Sequence, residues 1–329
     1  MRRRAWTQEQ LVAGVRDGDQ RALARAISLV ENDEPEGAAV VRELYPDTGS
    51  AFAVGVTGPP GVGKSSVISA LVRHVRALGF SVGVVSVDPS SPFTEGALLG
   101  DRIRLTEHFL DPGVFIRSMA TRGHLGGLAE ATRQTLLLLD ASGCDIVFLE
   151  TVGTGQSDVE VVGVADAVLL VLMPESGDSV QALKAGIMEI PDVIAVNKMD
   201  QAGARTMLSD IRTVTSLELD AQRRPAIVMT EALRGEGIEA LWVAINDRRG
   251  QLVAGGELDE RRRRLLAEGV VAAATARARL RIEQSLRDDA GLRELLAEVH
   301  QRQVDPQTAA DLIVESVFGG GSDGSPDSR

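Results

Sequence analysis

The residues Gly58-Pro59-Pro60-Gly61-Val62-Gly63-Lys64-Ser65, followed by Ser66, match the full pattern of a phosphate-binding loop. Glycines let the backbone curl until its amide N–H groups point at phosphate oxygens, and the dipole of a following helix adds to the attraction. The loop has the context that this chemistry requires: an apolar run ends at Thr57 and a helical pattern begins near Lys64. Lys64 is placed to reach the outer phosphates of a nucleoside triphosphate and to act in their transfer. The Ser65 hydroxyl is placed to ligate Mg2+.

A second motif, Asn197-Lys198-Met199-Asp200, closes another apolar run. A carboxylate at Asp200 can accept from both the N1–H and the 2-amino group of guanine. Adenine lacks that pair of donors and would leave the carboxylate unpaired, which is the stronger form of discrimination. Asn197 is expected to tie this loop either to the phosphate loop or to the base edge, and the stem of Lys198 to lie along the base face. Further on, Thr230-Glu231-Ala232-Leu233 follows an apolar run where guanine-binding proteins usually carry Ser-Ala. Glu231 stands in place of the serine, while the backbone at Ala232 and the adjoining Leu233 remain available to the base.

Glu150-Thr151-Val152-Gly153 follows the run Ile146–Leu149. Most proteins of this kind have Asp-x-x-Gly there. A glutamate can still hold a metal-bound water, and Gly153 can offer its N–H to a terminal phosphate. Asp88 and Asp101 are further candidates for the magnesium sphere, or plain surface carboxylates. Gln156 resembles a water-positioning glutamine at an uncommon offset from Gly153. The four histidines show no ligand spacing and read as structural or surface groups.

Only three of the 35 basic residues are lysines, namely Lys64, Lys184 and Lys198. A chain that uses arginine elsewhere suggests, at each retained lysine, a place where a planar guanidinium does not fit. Two of the three fall in the motifs above, so Lys184 is a candidate by association. The net charge of −12 argues against a nucleic-acid partner, since phosphate neutralisation needs a basic face. The longest apolar run is too short to span a bilayer, and no secretory signal is expected. Cys144 is the single cysteine, which excludes an intrachain disulfide and suits a reduced, cytoplasmic setting.

Strands are expected at Ala51–Thr57, Ser81–Val87, Asp145–Thr151, Ala167–Met173, Asp192–Asn197 and Ala226–Thr230. They are continuous rather than alternating apolar runs, as in strands buried on both faces of a mostly parallel sheet. The fold class is therefore α/β, a doubly wound P-loop domain over residues 49–248 with its ligand at the carboxyl ends of the strands. Residues 1–48 read as an N-terminal helical arm and 249–318 as a C-terminal one, with a disordered tail at 319–329. Leu266, Val270, Ala273, Ala276 and Leu280 form a possible helix–helix seam, and Asp305-Pro306 a helix start.

These segments together resemble the MeaB, ArgK and MMAA family of G proteins, chaperones of adenosylcobalamin-dependent methylmalonyl-CoA mutase. The likeness runs through Gly58–Ser65, Asp88-Pro89-Ser90-Ser91, Leu99-Gly100-Asp101-Arg102 and Phe115-Ile116-Arg117. It continues through Gly123–Gly127, Glu150–Ser157, Gly177-Asp178, Lys184–Glu189 and Asn197–Asp200. The resemblance implies a slow, partner-stimulated GTPase acting on GTP with Mg2+ and a homodimer formed through the C-terminal arm. It also implies magnesium contacts at Asp88, Asp101 and Glu150, and a switch around Gly177 to Met188 that includes Lys184. Glu95-Gly96-Ala97 and Glu231 depart from the family pattern. A related mutase such as isobutyryl-CoA mutase is the alternative partner. A metal-enzyme maturation GTPase is a further alternative, and it would need His/Cys sites that the chain's one cysteine and scattered histidines do not supply.

Overall fold

The computed structural model describes residues 6–88, 105–120, 127–151, 163–174, 191–218 and 224–319. Two compact units divide the chain, residues 1–266 and 267–329. In the first, helices α1 (Gln8–Arg16), α2 (Gln20–Glu31) and α3 (Pro35–Leu44) precede strand β1 (Phe52–Thr57) and helix α4 (Lys64–Ala77). Then come β2 (Val82–Asp88), β3 (Val114–Ala120), α5 (Gly127–Ala141), β4 (Ile146–Thr151), β5 (Ala167–Leu172) and β6 (Val193–Val196). Helix α6 (Ala204–Glu218), β7 (Ala226–Met229) and α7 (Ile238–Ala254) complete the α/β part, and α8 (Glu257–Asp288) begins in this unit.

The seven strands form one sheet in the order β3-β2-β4-β1-β5-β6-β7, parallel throughout. The chain leaves β1 toward β2 and β3, returns through β4, and crosses to the other side of β1 at β5. Ligands of such sheets bind at the carboxyl ends of the strands, where that direction reverses.

Continuous apolar strands bury alternate residues on opposite faces. Ile146 and Phe148 of β4 pack with α4 and α7 in one cluster, which includes Val67, Leu71, Leu241 and Trp242. Val147 and Leu149 point the other way, into a cluster with Leu138 and Leu139 of α5 and with Leu23, Ile27 and Val40 of the N-terminal helices. On the far side of β1, Leu170 and Leu172 meet Met207 and Ile211 of α6. Each fully buried aliphatic side chain contributes roughly 1.5–3 kcal/mol by leaving water, so both faces hold the sheet rigid beneath its loops.

Six strands fall within about two residues of the positions expected from sequence. The seventh, β3, was not foreseen as a strand. Its Arg117 and Ser118 interrupt the apolar pattern, because β3 is an edge strand. Arg117 pairs with Glu31 and donates to Ser28 Oγ, both on α2.

The start of α8 is bolted to the sheet. Arg262 holds both oxygens of Asp166 at 2.7 Å and donates to the carbonyls of Gly49 and Ala51. Arg261 and Arg248 share Asp192, a buried carboxylate at the entry to β6. In the second unit, α8 ends at Asp288, and α9 (Ala290–His300) and α10 (Pro306–Phe318) follow. Asp289 and Asp305 cap these two helices through their side chains, so the expected helix start at Asp305-Pro306 is found. Leu292, Ile313 and Val317 form a small cluster there with Ile282, Leu286 and Leu295. Among the described residues no helix is long and apolar enough to cross a membrane.

Candidate nucleotide-binding site

The phosphate loop joins β1 to α4 at the centre of the sheet. Gly58 has φ +143°, and a Cβ there would collide with the carbonyl oxygen of Val171 on β5. Gly63 has φ +95° and abuts Asn197 Nδ2, 2.6 Å from the place a Cβ would take. Glycine at these two points lets the loop pass between neighbouring strands and bend back. Helix α4 starts at Lys64 with no side-chain cap on its first turn, and an uncapped first turn offers N–H donors to a ligand.

Lys64 and Ser65 are buried. Lys64 Nζ donates to the carbonyls of Gly58 (2.7 Å) and Pro59 (3.2 Å), which curls the ammonium over the loop it belongs to. Ser65 Oγ donates to Glu150 Oε1 at 2.6 Å, and Ser86 Oγ donates to Glu150 Oε2 at 3.3 Å. Glu150 is 4% exposed, at the carboxyl end of β4 beside β1 and β2. A hydroxyl that donates its proton to a carboxylate keeps its lone pairs for a cation, so Ser65 and Glu150 form an all-oxygen pair suited to a hard ion such as Mg2+. Asp88 ends β2, next to the strand that carries Glu150. Asp101, Gln156 and Lys184 lie outside the described residues. Among the described residues no three His, Cys, Asp or Glu side chains gather as a metal cluster.

The second motif is built into the first. Asn197 Nδ2 donates to Val62 O at 2.9 Å, and Asn197 Oδ1 accepts from Thr230 Oγ1 and from the Ala232 N–H, each at 3.2 Å. Of the two expected ties for Asn197, the structure has the one to the phosphate loop. Lys198 has φ +58°, and its Nζ reaches Gly61 O at 3.0 Å and Met173 Sδ at 3.2 Å. The Met199 N–H donates to Thr230 O. One asparagine and one lysine therefore fasten the chain at four adjacent strand ends, those of β1, β5, β6 and β7.

Asp200 is exposed beyond this knot, and Leu233 is 83% exposed. Ala232 is buried with its amide already given to Asn197. Glu231 is 6% exposed and pairs through its backbone with Glu236 in a short antiparallel bridge. Its carboxyl lies against Asp200. The hydrogen bond between them holds Asp200 below the usual carboxylate range, while Asp200 and then burial push Glu231 up.

Sequence reasoning did not single out Ser86, Thr230 or Met173. Ser86 carried a signal, a hydroxyl inside the buried run Val82–Val87. Met173 looked like the end of an apolar strand and nothing more.

The comparisons fit this geometry. Residues 23–284 match the family model described as methylmalonyl Co-A mutase-associated GTPase MeaB. A putative GTPase of Pyrococcus abyssi is 46% identical over 95% of this chain and 98% of its own length. GTPase ArgK of Escherichia coli is 35% identical over 80% of this chain and 82% of its own. The crystal structure of a LAO/AO transport system kinase matches with a TM-score of 0.68 at 26% identity, covering 94% of this chain and 97% of that one. A phosphate loop fastened to the loop after β6 on a parallel sheet, in a chain matched over most of its length, makes this protein a P-loop GTPase of the MeaB family.

Proposed function

We propose that this GTPase binds GTP and GDP with Mg2+ and acts as a chaperone of an adenosylcobalamin-dependent acyl-CoA mutase, with methylmalonyl-CoA mutase as the partner. The observation that carries the nucleotide reading is the triple fastening at Asn197, which couples the base loop to the phosphate loop within 3.2 Å. The family match over residues 23–284 supports the partner.

Gly58 to Ser66 cradle the phosphates, and Asp200 reads the guanine N1–H and 2-amino group. Lys198 lies along the base face, with Ala232 and Leu233 beside it. Lys64 exchanges its loop carbonyls for phosphate oxygens and stabilises the charge that grows as the bond from the γ-phosphorus to the bridging oxygen breaks and a bond to water forms. Ser65 and Glu150, with Asp88 and Asp101, would hold Mg2+, which would supply neutralisation of the charge on the phosphates. Gln156 is assigned to the attacking water. Lys184, a lysine in an arginine-rich chain, is assigned to the partner-stimulated step.

Competition binding with GTP, GDP, ATP and XTP, and GTP turnover with and without each acyl-CoA mutase of the same cell, test this reading. Guanine nucleotides should win, and one mutase should raise turnover. Equal binding of ATP and GTP would overturn the nucleotide reading. Stimulation by isobutyryl-CoA mutase alone would move the partner, and stimulation by none would end the chaperone assignment.

A further inference from the structure

Glu231 is the polar group that the site as described leaves unused. It is 6% exposed, and its Oε2 atom is buried with no hydrogen-bond partner among the described residues that could donate to it. The group against it is another carboxyl, Asp200, which is the one assigned to the base; the hydrogen bond from the Met199 N–H to Thr230 O sets the two loops side by side. Two adjoining carboxylates repel when both are ionised, and the pair is relieved when one of them holds a proton and donates it to the other. The surroundings decide which one. Glu231 is enclosed by the turn after β7, fixed there by its backbone bridge to Glu236, whereas Asp200 is exposed. The groups facing the pair are Lys198 on the Asp200 loop, and Arg234 with the Leu233 N–H on the turn. Lys198 and Arg234 both favour an anionic Asp200; Arg234 and the Leu233 N–H draw Glu231 the same way, against the larger effects of Asp200 and of burial. Of the two, Glu231 is therefore the one that holds the proton when the pair carries one. An ionised Asp200 that accepts one bond from Glu231 still has lone pairs for the two guanine donors.

We propose that Glu231 is a positioning residue for guanine recognition: its carboxylic acid donates to Asp200 and aims that carboxylate at the base, so that guanine binding draws a proton into the pair. The proposal rests on Asp200 as the base reader and adds the residue that orients it. A bound base covers Asp200 and strips water from the pair, which disfavours a second negative charge and favours the protonated acid. Guanine affinity and proton uptake are then linked, and affinity falls as rising pH ionises Glu231.

The test is GDP binding by calorimetry in buffers of different ionisation enthalpy, from pH 5.5 to 8.5, on the full chain and on Glu231→Gln, Glu231→Ala and Asp200→Asn. Subtracting the Glu231→Gln profile removes the titration of GDP itself. The amide of Glu231→Gln donates to Asp200 at every pH, so this variant should show no proton uptake assignable to the pair. The unmodified chain should take up a fraction of a proton more, and should weaken relative to Glu231→Gln by up to about tenfold per pH unit once Glu231 ionises. Glu231→Ala should bind about tenfold more weakly than Glu231→Gln, having lost a hydrogen bond to a charged group. Parallel pH profiles for the unmodified chain and Glu231→Gln, or equal weakness of Glu231→Gln and Glu231→Ala, would overturn the proposal. Asp200→Asn separates this from the reading beneath it. If that variant gains XDP and loses GDP, Asp200 reads the base, and the Glu231 profiles stand or fall on their own. If it does not, the base assignment fails and the proposal fails with it.

Discussion

Asn197 carries more structure than its motif position alone would suggest. Its amide spends a donor on Val62 O and an acceptor on Thr230 and Ala232, all in buried surroundings. Removing it leaves a buried carbonyl, a hydroxyl and an N–H without their partner. Such groups cost about 1–3 kcal/mol each when they stay dry. Asn197→Ala should lower the unfolding free energy by a few kcal/mol and weaken GDP more than tenfold, read by thermal melting and by direct titration. Aspartate at this position would restore the acceptor and not the donor, so Asn197→Asp should recover only part of the loss. Cys144 behaves in the opposite way. Burial pushes its thiol up to about 11, so it stays protonated and inert near neutral pH. A maleimide at pH 8 should label the native protein far more slowly than the unfolded one. Equal rates would show that the site opens readily. The residue roles of the two nucleotide motifs were legible in sequence because their spacing fixes their chemistry. The Glu231–Asp200 contact was not, since it joins two loops through a sheet that no local pattern describes.

At the scale of elements, helix α4 is held at both ends. Its first turn belongs to the phosphate loop, and its last is tied to the lead-in of β3. Arg76 makes a bidentate pair with Asp111 at 2.8 and 2.9 Å and donates to Phe80 O, while Asp111 also accepts from the Gly113 N–H. Nearer the loop, Ser69 bonds to His108 Nε2 at 3.0 Å and to Glu107, and Arg73 grips Glu107 with two contacts. His108 is thereby a structural histidine, as its isolated spacing implied. Asp111 is held below the usual carboxylate range, first by the Arg76 hydrogen bond. A depressed carboxyl contributes stability above its unfolded pKa and loses it as pH falls through the folded value. Asp111→Asn should therefore lower the unfolding free energy at neutral pH, by about 1 kcal/mol or somewhat more for a half-buried bidentate pair, and the melting temperature with it. The gap between the two proteins should close as the medium becomes acid. A gap that persisted in acid would assign the loss to packing. Strands were readable because burial on both faces demands unbroken apolar runs. Arg117 of β3 answers to α2, a partner far away in sequence, and its charge hid that strand.

The whole molecule consists of two units, and the prediction that belongs to this scale concerns association. In the second unit the internal cluster around Leu292, Ile313 and Val317 is small. Leu296, Leu312, Val314 and Phe318 are exposed in the single chain, and on α8 so are Leu266, Val270 and Val271. Apolar side chains left in water along consecutive helices are what a helix–helix interface between copies would cover, and the expected seam from Leu266 to Leu280 lies on this stretch. Light scattering or sedimentation of the full chain should give a dimer. The structure also says where to cut. Leu258 belongs to the main core, and Arg261 and Arg262 hold Asp192 and Asp166. A chain that stops before α8 loses all three and leaves two buried carboxylates short of partners, a defect worth several kcal/mol. A chain ending at Leu266 keeps them. That truncation should fold, bind GDP with the affinity of the full chain, and sediment as a monomer. The shorter one should be destabilised for reasons unrelated to association. A full-length protein that stays monomeric at high concentration would end the dimer assignment. A dimeric Leu266 truncation would instead place the interface on residues 1–266.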